Sequence, residues 1–156
     1  MRVKGVSPDG GKTVEFDSKL VEAEFLERML KFELTEEDIR KRIDRLTVSA
    51  DVKSLLYALT RASITVGRQV VRIGRKIIDF VCTLLKEFPN IAFFALLGAI
   101  AGFLVASIPI IGVVLGPILT PIAVAVGGAL GALEDIRDRA LQRKIAEFQA
   151  QFAPLG

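Results

Sequence analysis

The chain has 156 residues, a quarter of them charged, with 21 Lys and Arg against 18 Asp and Glu for a net charge of +3. One cysteine and no histidine exclude an internal disulfide, His-based zinc sites and catalysis by Ser-His or Cys-His pairs. The small positive balance, with no basic stretch interleaved by aromatic residues, argues against nucleic-acid binding. No cofactor or metal is expected.

In residues 1–16, Val3, Val6, Val14 and Phe16 alternate loosely around Ser7-Pro8-Asp9-Gly10-Gly11-Lys12. Proline presets φ and glycine accepts positive φ, so this turn chemistry predicts a short β-hairpin. A phosphate-binding loop would need Gly, four residues, then Gly-Lys-Ser/Thr leading into a helix. Here the gap from Gly5 ends one residue early at Gly10, and Thr13 leads into Val14-Glu15-Phe16, which is strand-like. Lys12 is therefore expected to be an ordinary surface residue. Residues 1–16 also lack the apolar core of a cleavable signal peptide.

Asp17 or Ser18 is expected to cap a helix running to about residue 34, with Val21, Phe25, Leu26, Met29, Leu30 and Phe32 as its apolar positions. Thr35 then opens a second helix, and Asp38 completes a carboxylate form of the capping box. Glu36, Glu37 and Asp38 suit the positive end of its dipole. These elements make up a predicted segment 1–50.

Ser49 and Asp51 open a longer helical stretch, 51–89. In its second half Val70, Ile73, Ile77, Phe80, Leu84 and Phe88 recur at steps of three or four. Arg68, Arg72, Arg75 and Lys76 occupy another face. The pattern predicts a basic amphipathic helix that meets a bilayer surface or another helix. Cys82 falls on the apolar stripe and is expected to be a packing thiol.

Residues 88–133 contain no charged side chain over 46 positions. A bilayer-spanning helix needs about 20 apolar residues. The segment 90–133 is therefore predicted to be a transmembrane hairpin, with arms near 91–106 and 113–133 and a turn at 107–112 containing Pro109 and Gly112. Gly98 and Gly102 form one small-xxx-small pair, and Gly127 and Gly131 another, as close helix contact in lipid requires. Lys86, Glu134, Asp135 and Arg137 would mark the membrane boundary. Basic residues on both flanks place both termini in the cytoplasm at an inner membrane. Residues 134–156 form a C-terminal amphipathic helix with Ile136, Leu141, Ile145, Phe148 and Phe152 on its stripe.

An uncharged hairpin between amphipathic helices resembles the hydrophobic hairpin of pore-forming colicins. The likeness is one of organisation, with no motif matched residue by residue. It implies a helical shell around a hairpin that inserts into membranes.

The sequence thus predicts a mainly α protein with a two-span hairpin, amphipathic helices on both sides and a short N-terminal β-hairpin. The expected function is non-enzymatic: a homo-oligomeric pore or channel-like assembly that depolarises a membrane, as a toxic or defence effector would. One alternative is a membrane-anchored scaffold that bends the bilayer or recruits a partner protein through its cytoplasmic helices. The other is a soluble toxin with a concealed insertion hairpin. Ser107 and Thr120 are too few to line a wide aqueous pore, which weighs against the channel.

Overall fold

Two β-hairpins far apart in the chain meet in one antiparallel sheet. The computed structural model describes residues 1–127 and 130–156, without the side chain of Glu134. Strands β1 (Arg2–Val6) and β2 (Thr13–Asp17) form the predicted N-terminal hairpin, with Val3 opposite Phe16 and Lys4 opposite Glu15. Gly10 takes φ +74° in the turn. The turn satisfies itself: Gly11 N–H donates to Asp9 Oδ1 and Lys12 N–H to Ser7 Oγ, each at 2.9 Å.

Helices α1 (Ala23–Leu30) and α2 (Glu36–Asp44) follow. The capping box on α2 is present, with Asp38 N–H donating to Thr35 Oγ1 and Thr35 N–H donating to Asp38 Oδ2. The expected cap on α1 is not. Asp17 ends β2, α1 starts at Ala23, and the Ser18 hydroxyl instead donates to the Pro154 carbonyl at 2.8 Å, tying the start of the chain to its end.

The predicted long helix of 51–89 is broken. Helix α3 (Ala50–Arg61), capped by Ser49, gives way to β3 (Ile64–Val66) and β4 (Gln69–Val71), and only then does α4 (Ile73–Glu87) begin. Gly67, at φ +61°, turns the second hairpin. Strand β3 pairs with β1, Val3 opposite Val66 and Lys4 opposite Thr65, giving the order β2-β1-β3-β4.

The uncharged segment folds as helices, but not as spans. Helix α5 (Phe93–Leu97), a π-helical turn (Gly98–Gly102) and α6 (Phe103–Ser107) are three consecutive five-residue stretches. At 1.5 Å per residue they cover about 22 Å. Helix α7 (Pro109–Ala125) has 17 residues, or about 26 Å. Both fall short of the roughly 30 Å hydrocarbon core. Among the described residues no helix is long and apolar enough to cross a membrane. The predicted second arm, 113–133, starts four residues earlier and stops eight earlier, because Val126 leaves helical geometry and Gly127 at φ +62° ends the helix.

Burial explains where the hairpin goes instead. Ile110, Ile111, Val114, Leu115, Ile118, Leu119 and Ile122 of α7 are all buried, and α7 packs on β1 and α3. Gly5 of β1 makes this possible: a Cβ there would lie 2.6 Å from Ile110 Cγ1 and 3.0 Å from Val114 Cγ2. The tip is enclosed too. Ile108 is buried, and the chain's last residue, Gly156, lies against Ile108 and Pro109. The two-span hairpin is therefore corrected: these residues are core, and their turn sits beside the C-terminus rather than across a bilayer from it.

Helix α8 (Arg139–Ala150) is capped by Asp138, whose Oδ1 accepts from Ala140 N–H and Leu141 N–H. The helix is shorter than the predicted 134–156, leaving Ile136 before it and Phe152 after it, but all five stripe residues are buried, with Phe148 stacked on Phe80 of α4 at 4.0 Å between ring centroids and edge-on to Phe152. One core cluster, running from Val3 to Leu155, draws on every segment of the chain. The fold is mainly helical with a small four-stranded antiparallel sheet.

Candidate functional site

The four glycines expected to act alike do three different things. Gly98 and Gly131 meet: a Cβ on Gly98 would lie 2.2 Å from the Gly131 carbonyl oxygen, and one on Gly131 would lie 2.7 Å from that of Ala95. Gly131 N–H also donates to the Phe94 carbonyl at 3.2 Å. Gly102 faces open space, and Gly127 ends α7 in a left-handed conformation that favours glycine. The turn residues move as well. Pro109 is the first residue of α7, where a missing N–H costs nothing. Gly112 lies inside α7, where a Cβ would come 2.9 Å from the Val105 carbonyl oxygen. It lets α6 and α7 cross closely.

Of the predicted basic face, Arg75 and Lys76 of α4 hold the end of α1 and the segment after it. Lys76 Nζ donates to the carbonyls of Arg28 and Lys31, at 3.0 and 2.6 Å, adding a side-chain donor at the end of α1. Arg75 lies 4.0 Å over the Phe32 ring and donates to the Leu34 carbonyl. Asp79, 3% exposed, accepts from Leu34 N–H at 2.7 Å and Glu33 N–H at 3.3 Å. Burial raises the Asp79 pKa, against these two bonds and nearby Lys76, and burial lowers that of Lys76. Arg68 and Arg72 are exposed around the second hairpin and the start of α4.

The expected boundary charges mark no boundary. Lys86 is exposed at the end of α4, Asp135 accepts from Ala132 N–H in a short 3-10 turn, and Arg137 is exposed. The side chain of Glu134 lies outside the described residues. Cys82 is buried at the edge of the core, behind a cleft lined by Asp38, Lys41, Arg42, Arg45 and Lys86, and desolvation pushes its thiol up to about 11. A thiol so held is a poor nucleophile.

Two features remain that no local packing role absorbs. The first is the outer face of the hairpin, where Phe103, Ala106, Pro117, Thr120, Pro121 and Val124 are exposed. Phe103 is 42% and Val124 78% exposed. A surface helix of this length ordinarily carries charge on its outer face, yet this one has none. Pro117 and Pro121 also lack N–H groups, which leaves the carbonyls of Val113 and Pro117 without helical donors.

The second is a cleft of about 550 Å³ between the ends of β1 and α3 and the flank of α7. It exists because β3 is short. Lys4 is the last β1 residue paired to β3, so Gly5 and Val6 have no β3 partner along that edge, and Val6 and Pro8 of the following turn line the cleft. Val114 and Ile118 of α7 form an apolar wall, while Lys4, Arg61, Ser63 and Thr65 supply two cations and two hydroxyls. Glu15 faces Lys4 across the β1–β2 ladder, but its carboxylate takes Arg2 Nε at 2.8 Å. Among the described residues neither Lys4 nor Arg61 has a carboxylate in ion-pair range.

Neither was foreseen from the sequence. The signals were present: a run of outward positions with no charge, and Lys4 and Arg61 on elements that only the fold brings together. The class defined here is a mainly helical domain built on a small sheet, with an internal apolar hairpin. Compared with protein-family models, curated proteins and solved structures, the chain matches none, so its function is argued from its own residues.

Proposed function

We propose that this chain is a non-catalytic adaptor that lies on an anionic bilayer surface through the outer face of the α6–α7 hairpin. The observation that carries the reading is the uncharged outward stripe of Phe103, Ala106, Pro117, Pro121 and Val124 on an otherwise charged molecule. Lys4 and Arg61 lie on the other flank of α7, lining the cleft beside Val114 and Ile118. The pairing of an apolar stripe with nearby cations is complementary to anionic headgroups over acyl chains.

The contact is shallow. The carbonyls freed by Pro117 and Pro121 need water or another donor, which the headgroup layer supplies and the hydrocarbon core does not. Completing the burial of Phe103 and Val124 contributes about 1 kcal/mol each, and each cation near an anionic surface about 1 kcal/mol. Binding of that size is weak and reversible. The lack of histidine and the buried, protonated Cys82 thiol support a role in binding rather than catalysis. Helices α1 and α2, which carry Glu24, Glu27, Glu36, Glu37, Asp38 and Asp44, would then remain available to a partner protein.

Vesicle flotation tests this. The protein should float with vesicles containing phosphatidylglycerol, less with pure phosphatidylcholine, and should release no entrapped dye. Phe103→Asp and Val124→Asp, at exposed positions, should each weaken flotation while leaving the circular dichroism spectrum intact. If no vesicle recruits the protein, or both variants float like wild type, the bilayer reading fails. An oligomer that dissociates on Val124→Asp would instead make this face a contact between copies.

A further inference from the structure

We infer that the cleft between α2 and α4 binds the diphosphate group of a small soluble molecule. Asp38, Lys41, Arg42 and Arg45 recur along α2 and its C-cap at helical spacing, which puts them on one face. Cys82 and Lys86 stand one turn apart on α4. The two faces meet around an open cleft of about 370 Å³. The bases of both helices act on the same groups there. Hydrogen bonds from Thr35 hold the Asp38 carboxyl below the usual carboxylate range, and Lys41 of α2 and Lys86 of α4 both add to that effect. Burial pushes the Cys82 thiol up, and Arg42 of α2 and Lys86 of α4 both oppose the rise. Positive charge from two separate helices is therefore concentrated in one small volume.

The charge balance asks for an anion. Four bases line the cleft against one carboxylate, Asp38. Lys41 is paired with Glu37 at 3.5 Å, and Asp38 is engaged with Thr35 N–H. Asp44 accepts from the Tyr57 hydroxyl, and the buried Asp79 carboxylate is taken by the Glu33 and Leu34 N–H groups. Among the described residues Arg42, Arg45 and Lys86 have no carboxylate in ion-pair range. The helix dipole favours a base in a last turn, which accounts for the residue types on each helix but not for the packing that gathers them at one cleft. A single phosphate carries a charge of about −2 and would leave part of this positive charge uncompensated. Two adjacent phosphates match it, and the guanidinium forks of Arg42 and Arg45 suit phosphate oxygens. The lining has no aromatic side chain, so the stacking platform that a single nucleic-acid strand uses is missing. This goes beyond bilayer docking and does not rest on it.

The test is a titration of the full chain with inorganic pyrophosphate at physiological salt, read by calorimetry and by amide chemical shifts of Leu34, Cys82 and Lys86. Saturable binding with shifts at those amides is expected. Arg45→Gln and Lys86→Gln should each weaken it about tenfold, as loss of one charge-assisted hydrogen bond does, and Arg68→Gln on the distant β3–β4 turn should leave it unchanged. Asp38→Asn removes the one opposing charge, keeps an acceptor for Thr35 N–H, and should tighten binding. Arg45 and Lys86 are exposed, so both variants should fold, and circular dichroism verifies it. Absence of saturable shifts, equal affinity for inorganic phosphate or sulfate, or equal loss in Arg68→Gln overturns the proposal. So does tighter binding of a single-stranded oligonucleotide that is lost in the same variants, which would make the cleft a nucleic-acid backbone contact. Flotation with phosphatidylglycerol vesicles should survive Arg45→Gln and Lys86→Gln. Its loss in both would assign the cleft to lipid headgroups and overturn a soluble ligand. Failure of wild-type flotation with intact pyrophosphate binding refutes only the docking reading.

Discussion

Replacing Gly98 and Gly102 one at a time with alanine separates the folded hairpin from a lipid-packed one. If the two glycines formed a helix contact face in a membrane, both changes would weaken the same interface. The structure gives them opposite signs. At Gly102 a Cβ meets nothing within 4 Å, so alanine removes only the entropic cost of glycine in a helix and should stabilise by about 0.5–1 kcal/mol. At Gly98 the same Cβ lands 2.2 Å from the Gly131 oxygen and 2.7 Å from its nitrogen. Backbone cannot rotate away as a side chain can, so segment 130–131 must shift and its bond to Phe94 is strained. Overpacking of this kind costs about 1–3 kcal/mol, which outweighs the gain in helix propensity. With a urea m-value of about 2 kcal/mol/M, the midpoints should move by about +0.3 to +0.5 M for Gly102→Ala and about −0.5 M or more for Gly98→Ala. Equilibrium urea unfolding followed by circular dichroism measures both. Shifts in the same direction, or a neutral Gly98→Ala, would refute the packing described here.

Three further outcomes follow from buried groups. Gly74→Ala should destabilise by about 2 kcal/mol or more despite alanine's helix propensity, because its Cβ would collide with the Leu59 carbonyl oxygen where α3 crosses α4; thermal unfolding reads this directly. For Asp79, burial raises the folded pKa, so the folded state holds the proton more tightly than the unfolded chain. Its contribution is most favourable below the ordinary carboxylate range and is lost as pH rises through the raised folded value. Lys76 and Glu33 face Asp79, so the comparison is between wild type and Asp79→Asn across that window, and the variant's urea midpoint should vary less with pH; an unchanged profile would contradict the assignment. Cys82, buried with its thiol raised to about 11, should react with a neutral thiol reagent at least tenfold more slowly at pH 8 in buffer than in denaturing urea, and equal rates would place it at the surface.

Local chemistry was enough to place several elements. Pro8-Asp9-Gly10 makes a hairpin turn because proline and glycine set φ themselves, and Thr35 with Asp38 begins a helix because the two satisfy each other's backbone N–H groups. The stripe from Leu141 to Phe152 needs only helical periodicity to find a buried face. The hairpin β3–β4 was missed for a physical reason. Three-residue strands are not stable alone, and Ile64-Thr65-Val66 forms one only because β1, some sixty residues earlier, offers its edge. The fate of residues 88–133 depended on tertiary structure in the same way. Apolar side chains leave water with similar gain whether lipid or protein receives them, so hydropathy alone does not distinguish a bilayer from a core. What decides is the complementary surface: Gly5 opening β1 to α7, Gly131 fitting against Gly98, and the C-terminal residues closing over Ile108. Lys4 and Arg61 carry no local signal at all, since side chains on a strand and on a helix become a cleft only when the sheet and α7 bring them together.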